Sequence, residues 1–207
     1  MVVNAVNDEF VRILGISIEN FKNTHKGQIK LSSMNTNKLE SDIIGIYGQN
    51  GSGKTSIITA ISMIKKIISN KRLDEDVFKY MMVDELSTKI MVKFLVETKN
   101  NTYETEYIVL VTKDKREDEY FPVIKKESLV YWDYSDGNKK RKKCLIEVDN
   151  NKNGLKPVYR YDQLKKVFGD ENDLIVEKKL SYRTSKSFIF SSVLYGLIPN
   201  LPVEYEI

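Results

Sequence analysis

"DIIGIYGQNGSGKTSIITAISMIKKI", residues Asp42 to Ile67, changes character twice within its length. Ile43, Ile44 and Ile46 crowd together without alternation, which predicts a short strand over Asp42–Tyr47 buried on both faces. Glycines then punctuate positions 48, 51 and 53. After Lys54 the apolar residues Ile57, Ala60, Ile61, Ile64, Ile67 and Ile68 recur at spacings of three and four, the pattern of an amphipathic helix, here ending near Ser69-Asn70. The order is strand, glycine loop, helix.

The loop "GQNGSGKT", Gly48 to Thr55, fits the spacing G-x-x-x-x-G-K-[ST] of a phosphate-binding loop, and the flanking strand and helix are the context which that motif requires. Gly48, Gly51 and Gly53 permit the tight or left-handed turns that aim successive main-chain N–H groups inward. An anion held there rests on the positive end of the helix dipole. The expected cradle runs through Gln49, Asn50 and Ser52 to the helix entrance at Ser56. Lys54 is expected to lie along the β- and γ-phosphates as a point charge, and so to carry the catalytic role, while the Thr55 hydroxyl holds Mg²⁺. ATP and Mg²⁺ are the expected ligands. The competing reading is a glycine-rich turn that binds nothing.

Working outward, "VRILGISI" (Val11–Ile18) reads as a strand whose antiparallel mate is "GQIKLSS" (Gly27–Ser33). Downstream the period is two: Ile90, Val92, Phe94 and Val96 share one face, and Tyr103, Thr105, Tyr107, Val109 and Val111 share another, across the turn "KNN". Two further strands, Val123–Trp132 and Lys142–Val148, join through Asp136-Gly137 to complete a meander. Short helices are expected at Asp162–Phe168 and at Ser187–Tyr195, the latter broken by Gly196 and Pro199. The fold class is therefore α/β with α+β character: a mixed sheet around the phosphate-loop strand and an antiparallel meander beside it. Three regions follow, a loop core at 11–70, the meander at 88–150, and short helices at 151–207.

"ISIENFK" followed by "IIGIYGQNGSGKTSIITAI" resembles the N-terminal nucleotide-binding half of ABC-type, AAA-family ATPases of the SMC, RecF and OLD lineages, frequent in phage-defence systems. The resemblance is specific over about residues 11–68 and looser beyond. It implies that Lys22, in "NFK", approaches the nucleotide and that Asn50 lies near the γ-phosphate. It also implies a Walker B aspartate with a glutamate base, a Ser-Gly-Gly signature from a second head, and a Q-loop glutamine. No Ser-Gly-Gly occurs, and Gln163 matches the Q-loop only weakly. "YMMVDE", Tyr80 to Glu85, imitates a Walker B strand, but Phe-Lys-Tyr-Met-Met lacks β-branched residues and is better read as a loop or short helix. The strand at Asp42–Tyr47 wants parallel neighbours, whereas every later strand alternates. The chain is accordingly expected to be the N-terminal piece of a longer ATPase, working as a homodimer of heads with a missing C-terminal half and a linked effector, a nuclease or a DNA-handling arm. A nucleotide-sensing module without turnover is the alternative, and a small P-loop kinase the third reading.

Composition narrows the classes. Hydrophobic residues make up 41% and charged ones 30% of 207 residues, enough for one globular core and unlike a disordered chain. A single cysteine, Cys144, rules out an internal disulfide framework. The start lacks a signal-peptide pattern and no stretch is long enough to span a bilayer, so a cytoplasmic, non-membrane protein is expected. A net charge of +4 does not by itself argue for nucleic acid, and the run Asn138–Lys143, "NKKRKK", reads first as protection of an edge strand. His25 is the only histidine, which excludes a histidine-based metal cluster.

Overall fold

The computed structural model describes residues 10–31, 45–97, 102–134, 142–150 and 171–194. Period-two alternation builds most of what is described. Six strands, β1 (Phe10–Phe21), β2 (Thr24–Lys30), β3 (Ser87–Glu97), β4 (Thr102–Arg116), β5 (Glu119–Asp133) and β6 (Lys143–Asp149), form one sheet in the order β2-β1-β3-β4-β5-β6. Every pairing in it is antiparallel.

Register sorts the side chains into rows. Ile16, Val92, Tyr107, Leu129 and Ile146 lie across from one another, and so do Ile18, Ile90, Val109, Glu127 and Val148. Both rows are buried and, Glu127 apart, join the core. The opposite face carries ion pairs of the kind a solvated sheet surface tolerates, Lys89 with Glu19 and Lys126 with Glu147. A one-residue slip would exchange the two faces, so the alternation itself fixes the register.

Helix α1 (Lys54–Ile68) covers the apolar face with Ile57, Ala60, Met63, Ile64 and Ile67 buried against the sheet. The expected stripe is largely present. Ile68, however, is 38% exposed, and the unbranched Met63 fills the groove that the isoleucines leave. A left-handed residue ends the helix: Asn70 sits at φ 51, its N–H donates to the Ile67 carbonyl, and the Lys71 N–H reaches back to Lys66. That pattern satisfies the last carbonyls of the helix. Two further helices follow the meander, α2 (Glu171–Arg183) and α3 (Phe188–Leu194), with Phe188 and Ile189 in the core.

Several expectations need correction. Gly45, Ile46 and Tyr47 are not in a strand; Tyr47 is 93% exposed, and Asp42–Ile44 lie outside the described residues. A strand buried on both faces needs hydrogen-bonded neighbours on each side, and among the described residues this segment has none. The described sheet is therefore antiparallel, not mixed. Strands β4 and β5 run longer than expected because Glu117, at φ 55, closes a two-residue turn between Arg116 and Glu119 without any glycine. Helix α2 was not expected at all, and α3 starts one residue after Ser187, as read from the sequence. The turns at 99–101 and 136–137, the helix at Asp162–Phe168 and Gln163 fall outside the described residues.

"YMMVDE" is no Walker B strand. A 3-10 helix runs from Glu75 to Tyr80, Met81 makes one isolated bridge to Phe21, and Met82–Glu85 turns back through a Glu85 N–H to Met82 carbonyl bond of 3.0 Å. Asp84 is exposed. Among the described residues β6 stands at the end of the sheet; Lys142 pairs with Glu106 at 3.1 Å and Lys143 lies over the Tyr131 ring, while Asn138–Arg141 fall outside the described residues. No helix among the described residues is long and apolar enough to cross a membrane.

Candidate phosphate-binding site

The loop 48–53 is built by two left-handed glycines. A turn closes Gln49 to Ser52 through a Ser52 N–H to Gln49 carbonyl bond of 3.2 Å, and its third residue, Gly51, sits at φ 85. Gly53, at φ 86, is the N-cap of α1. Both values favour a residue without Cβ. The N-cap offers no side-chain hydrogen bond, and the first helical bond is from the Ile57 N–H to the Gly53 carbonyl. The amides of Lys54, Thr55 and Ser56 thus stand at the positive end of the helix without a side-chain cap.

Lys54 folds back over its own loop. Its ammonium donates to the Gly48 carbonyl at 2.5 Å, to the Gln49 carbonyl at 2.7 Å and to Ser52 Oγ at 3.3 Å. The charge is thereby held at the loop by three of its own oxygens. No acidic residue occupies the first turn of α1, and neither Lys54 nor Lys22 pairs with a carboxylate among the described residues. Among the described residues, positive charge therefore gathers at the N-terminus of α1 without a carboxylate partner, an arrangement that favours an anion.

The other expected residues are distributed as follows. Gln49, Asn50, Gly51, Ser52 and Thr55 are exposed. Ser56 is only 6% exposed with its side chain turned inward, which leaves its main-chain amide as the group it can offer. Lys22 is not directed at the loop: its ammonium donates to Thr59 Oγ1 at 2.8 Å, one turn along α1 from Thr55, and lies 5.3 Å from the centre of the Tyr80 ring. The neighbouring Thr24 hydroxyl approaches Gly53, where an added Cβ would meet it at 3.4 Å. Thr24, Thr59 and Tyr80 belong to the surroundings of the site, and no motif in the sequence singles them out.

The residues present suit a polyphosphate with a hard cation: a loop turned by two left-handed glycines, an ammonium bonded to that loop, a helix terminus without a side-chain cap and a hydroxyl at the helix entrance. No group of three or more histidine, cysteine or acidic side chains able to hold a metal occurs among the described residues.

A comparison with curated proteins found no match. The family description that matches is "AAA domain", over residues 16–193, which takes in the loop, α1, α2, strands β2 to β6 and parts of β1 and α3. With most of its length covered, the chain belongs to the AAA-domain family of nucleotide-binding ATPases.

Proposed function

We propose that the chain binds ATP with Mg²⁺ at Gly48–Ser56 and forms one head of an ATPase. The observation that carries this reading is the uncompensated positive locus made by Lys54, the uncapped N-terminus of α1 and the glycine-turned amides. Lys54 would exchange its three loop oxygens for phosphate oxygens, which are stronger acceptors because they are charged. The Thr55 hydroxyl would hold Mg²⁺, whose chemistry when bound is to neutralise charge on the phosphates. Turnover would then rest on positioning and charge neutralisation, with a base and signature residues contributed by a second head or a further half of the ATPase. A linked effector on DNA or in phage defence is what the likeness to SMC, RecF and OLD ATPases adds.

One observation favours a second reading, nucleotide sensing without turnover: Asp84-Glu85, the acidic pair of the Walker B-like "YMMVDE", lies in a turn after the 3-10 helix. Calorimetry with ATP and Mg²⁺, paired with phosphate release, separates the two. Binding that disappears in Lys54→Ala, accompanied by phosphate release, supports the ATPase head. Binding without release favours the sensor, and binding that survives Lys54→Ala removes the site.

A further inference from the structure

The hairpin between β1 and β2 turns on Lys22 and Asn23, since Phe21 and Thr24 are register partners. Lys22 adopts φ 52, unusual for a residue with a Cβ, and its N–H donates to the Tyr80 carbonyl at 2.7 Å. The side chain then crosses the Tyr80 ring, itself stacked on the fully buried Phe21, before its ammonium meets Thr59 Oγ1. An ammonium can only donate, so Thr59 Oγ1 must accept with a lone pair. The hydroxyl proton of Thr59 is thereby committed elsewhere, and it points to the Thr55 carbonyl at 2.7 Å. The order of donation is fixed: Lys22 to Thr59, Thr59 to Thr55.

Such a chain joins a rigid strand end to the first turn of α1. Lys54 ties that turn only to its own loop and Gly53 provides no cap, so among the described residues it is tied to the sheet by side-chain bonds through Lys22 and Thr59. We infer that Lys22 is a positioning residue, acting through Thr59 on the backbone of Thr55, and not a ligand of the phosphates. This rests on the reading of Thr55 as the Mg²⁺-holding residue. Fixing the Thr55 main chain fixes the direction in which its hydroxyl leaves the helix, so the relay bears on the cation more than on the phosphate chain, which the loop amides hold by themselves.

The test uses the full chain with Lys22→Met, Thr59→Val, Thr59→Ser and the double variant, titrated with ATP in EDTA and again in Mg²⁺. The expected result is that Lys22→Met and Thr59→Val each lose about tenfold in Mg²⁺-dependent affinity, keep their Mg²⁺-free affinity within about twofold, and combine with no further loss. Thr59→Ser, which retains the hydroxyl, should bind as the parent does. Equal weakening of Lys22→Met with and without Mg²⁺ would make it a phosphate ligand and overturn the relay, as would full additivity or an unaffected Thr59→Val. The underlying site reading fails separately, through ATP binding by Lys54→Ala or none by the parent. Amide hydrogen exchange over Thr55–Thr59 in the nucleotide-free chain then still judges the relay: faster exchange in Lys22→Met upholds it, and unchanged exchange sinks it.

Discussion

At the scale of single residues, two glycines with nearly the same backbone angle make different demands. Gly51, at φ 85, stands in open space, with nothing within 4 Å of where a Cβ would point. Gly53, at φ 86, is the N-cap of α1 and faces Thr24. An alanine at either position carries a left-handed penalty of about 1–2 kcal/mol. The exposed turn around Gly51 can relax to avoid that penalty until a ligand demands the original geometry. Gly51→Ala is therefore expected to melt within about a degree of the parent yet bind ATP about tenfold more weakly, since roughly 1.4 kcal/mol is a factor of ten. Gly53 has no such freedom, because relaxing it disturbs the first turn of the helix. Gly53→Ala should lose several degrees in melting temperature as well as affinity, at about 2–4 °C per kcal/mol for a chain of this length. Thermal melts set beside ATP titrations check both, and equal melting of the two variants would contradict the distinction.

At the scale of elements, the C-terminus of α1 is joined to α3. Asn70 supplies the left-handed cap, and its side-chain Oδ1 accepts the Ser191 hydroxyl at 2.7 Å. Asn70→Gly keeps the cap and loses the bond; Asn70→Ala loses both. Urea unfolding should place Asn70→Ala about 1 kcal/mol below Asn70→Gly, with Ser191→Ala close to the glycine variant. The cap was legible, because Ser69-Asn70 closes a run of isoleucines at helical spacing; its partner 121 residues away in sequence was not. The same contrast holds elsewhere. The meander was readable because Ile90, Val92 and Tyr107, Val109 alternate cleanly. The loop was readable because glycine, lysine and threonine have fixed places in it. Helix α2 was hidden for a physical reason: it buries Glu177, Lys178 and Ser181 while Val176 and Leu180 are exposed, the reverse of the usual pattern. Lys178 is accommodated by donating to the Asp149 carbonyl, a contact no periodicity announces. Over Gly45–Tyr47, the described part of the expected strand at Asp42–Tyr47, the reading failed from the opposite side, since an isoleucine marks a wish for burial without naming the neighbours that would provide it.

At the scale of the whole molecule, sheet and helices are pinned together by one buried carboxylate. Glu127 sits in an otherwise aliphatic row on β5, 1% exposed. Its Oε1 accepts the Tyr107 hydroxyl at 2.5 Å and the Ser187 hydroxyl, and its Oε2 accepts the Phe188 and Ile189 amides at 3.0 and 3.3 Å. Strands β4 and β5 are thereby fastened to the start of α3, which in turn holds Asn70 at the end of α1. Removing the acceptor leaves buried donors unpaired, so Glu127→Ala should cost about 3 kcal/mol or more. Burial pushes the Glu127 carboxyl above the usual carboxylate range, although the hydroxyls and amides pull it back. The sign follows from linkage. A folded-state value raised above the unfolded one, about 4.3 for glutamate, gives stability that is complete below that unfolded value and is lost as pH rises through the folded one. Glu127→Gln imitates the protonated form: its amide can donate to the hydroxyls of Tyr107 and Ser187 while its carbonyl keeps the two backbone N–H groups. Other acidic groups contribute equally to both proteins and cancel in the difference. Urea unfolding of the parent and of Glu127→Gln from pH 4 to 8 should therefore show the parent's advantage greatest at the acid end and shrinking toward neutrality. A difference that stays flat, or grows with pH, would mean that the hydrogen bonds outweigh burial and that Glu127 is held as a stable anion.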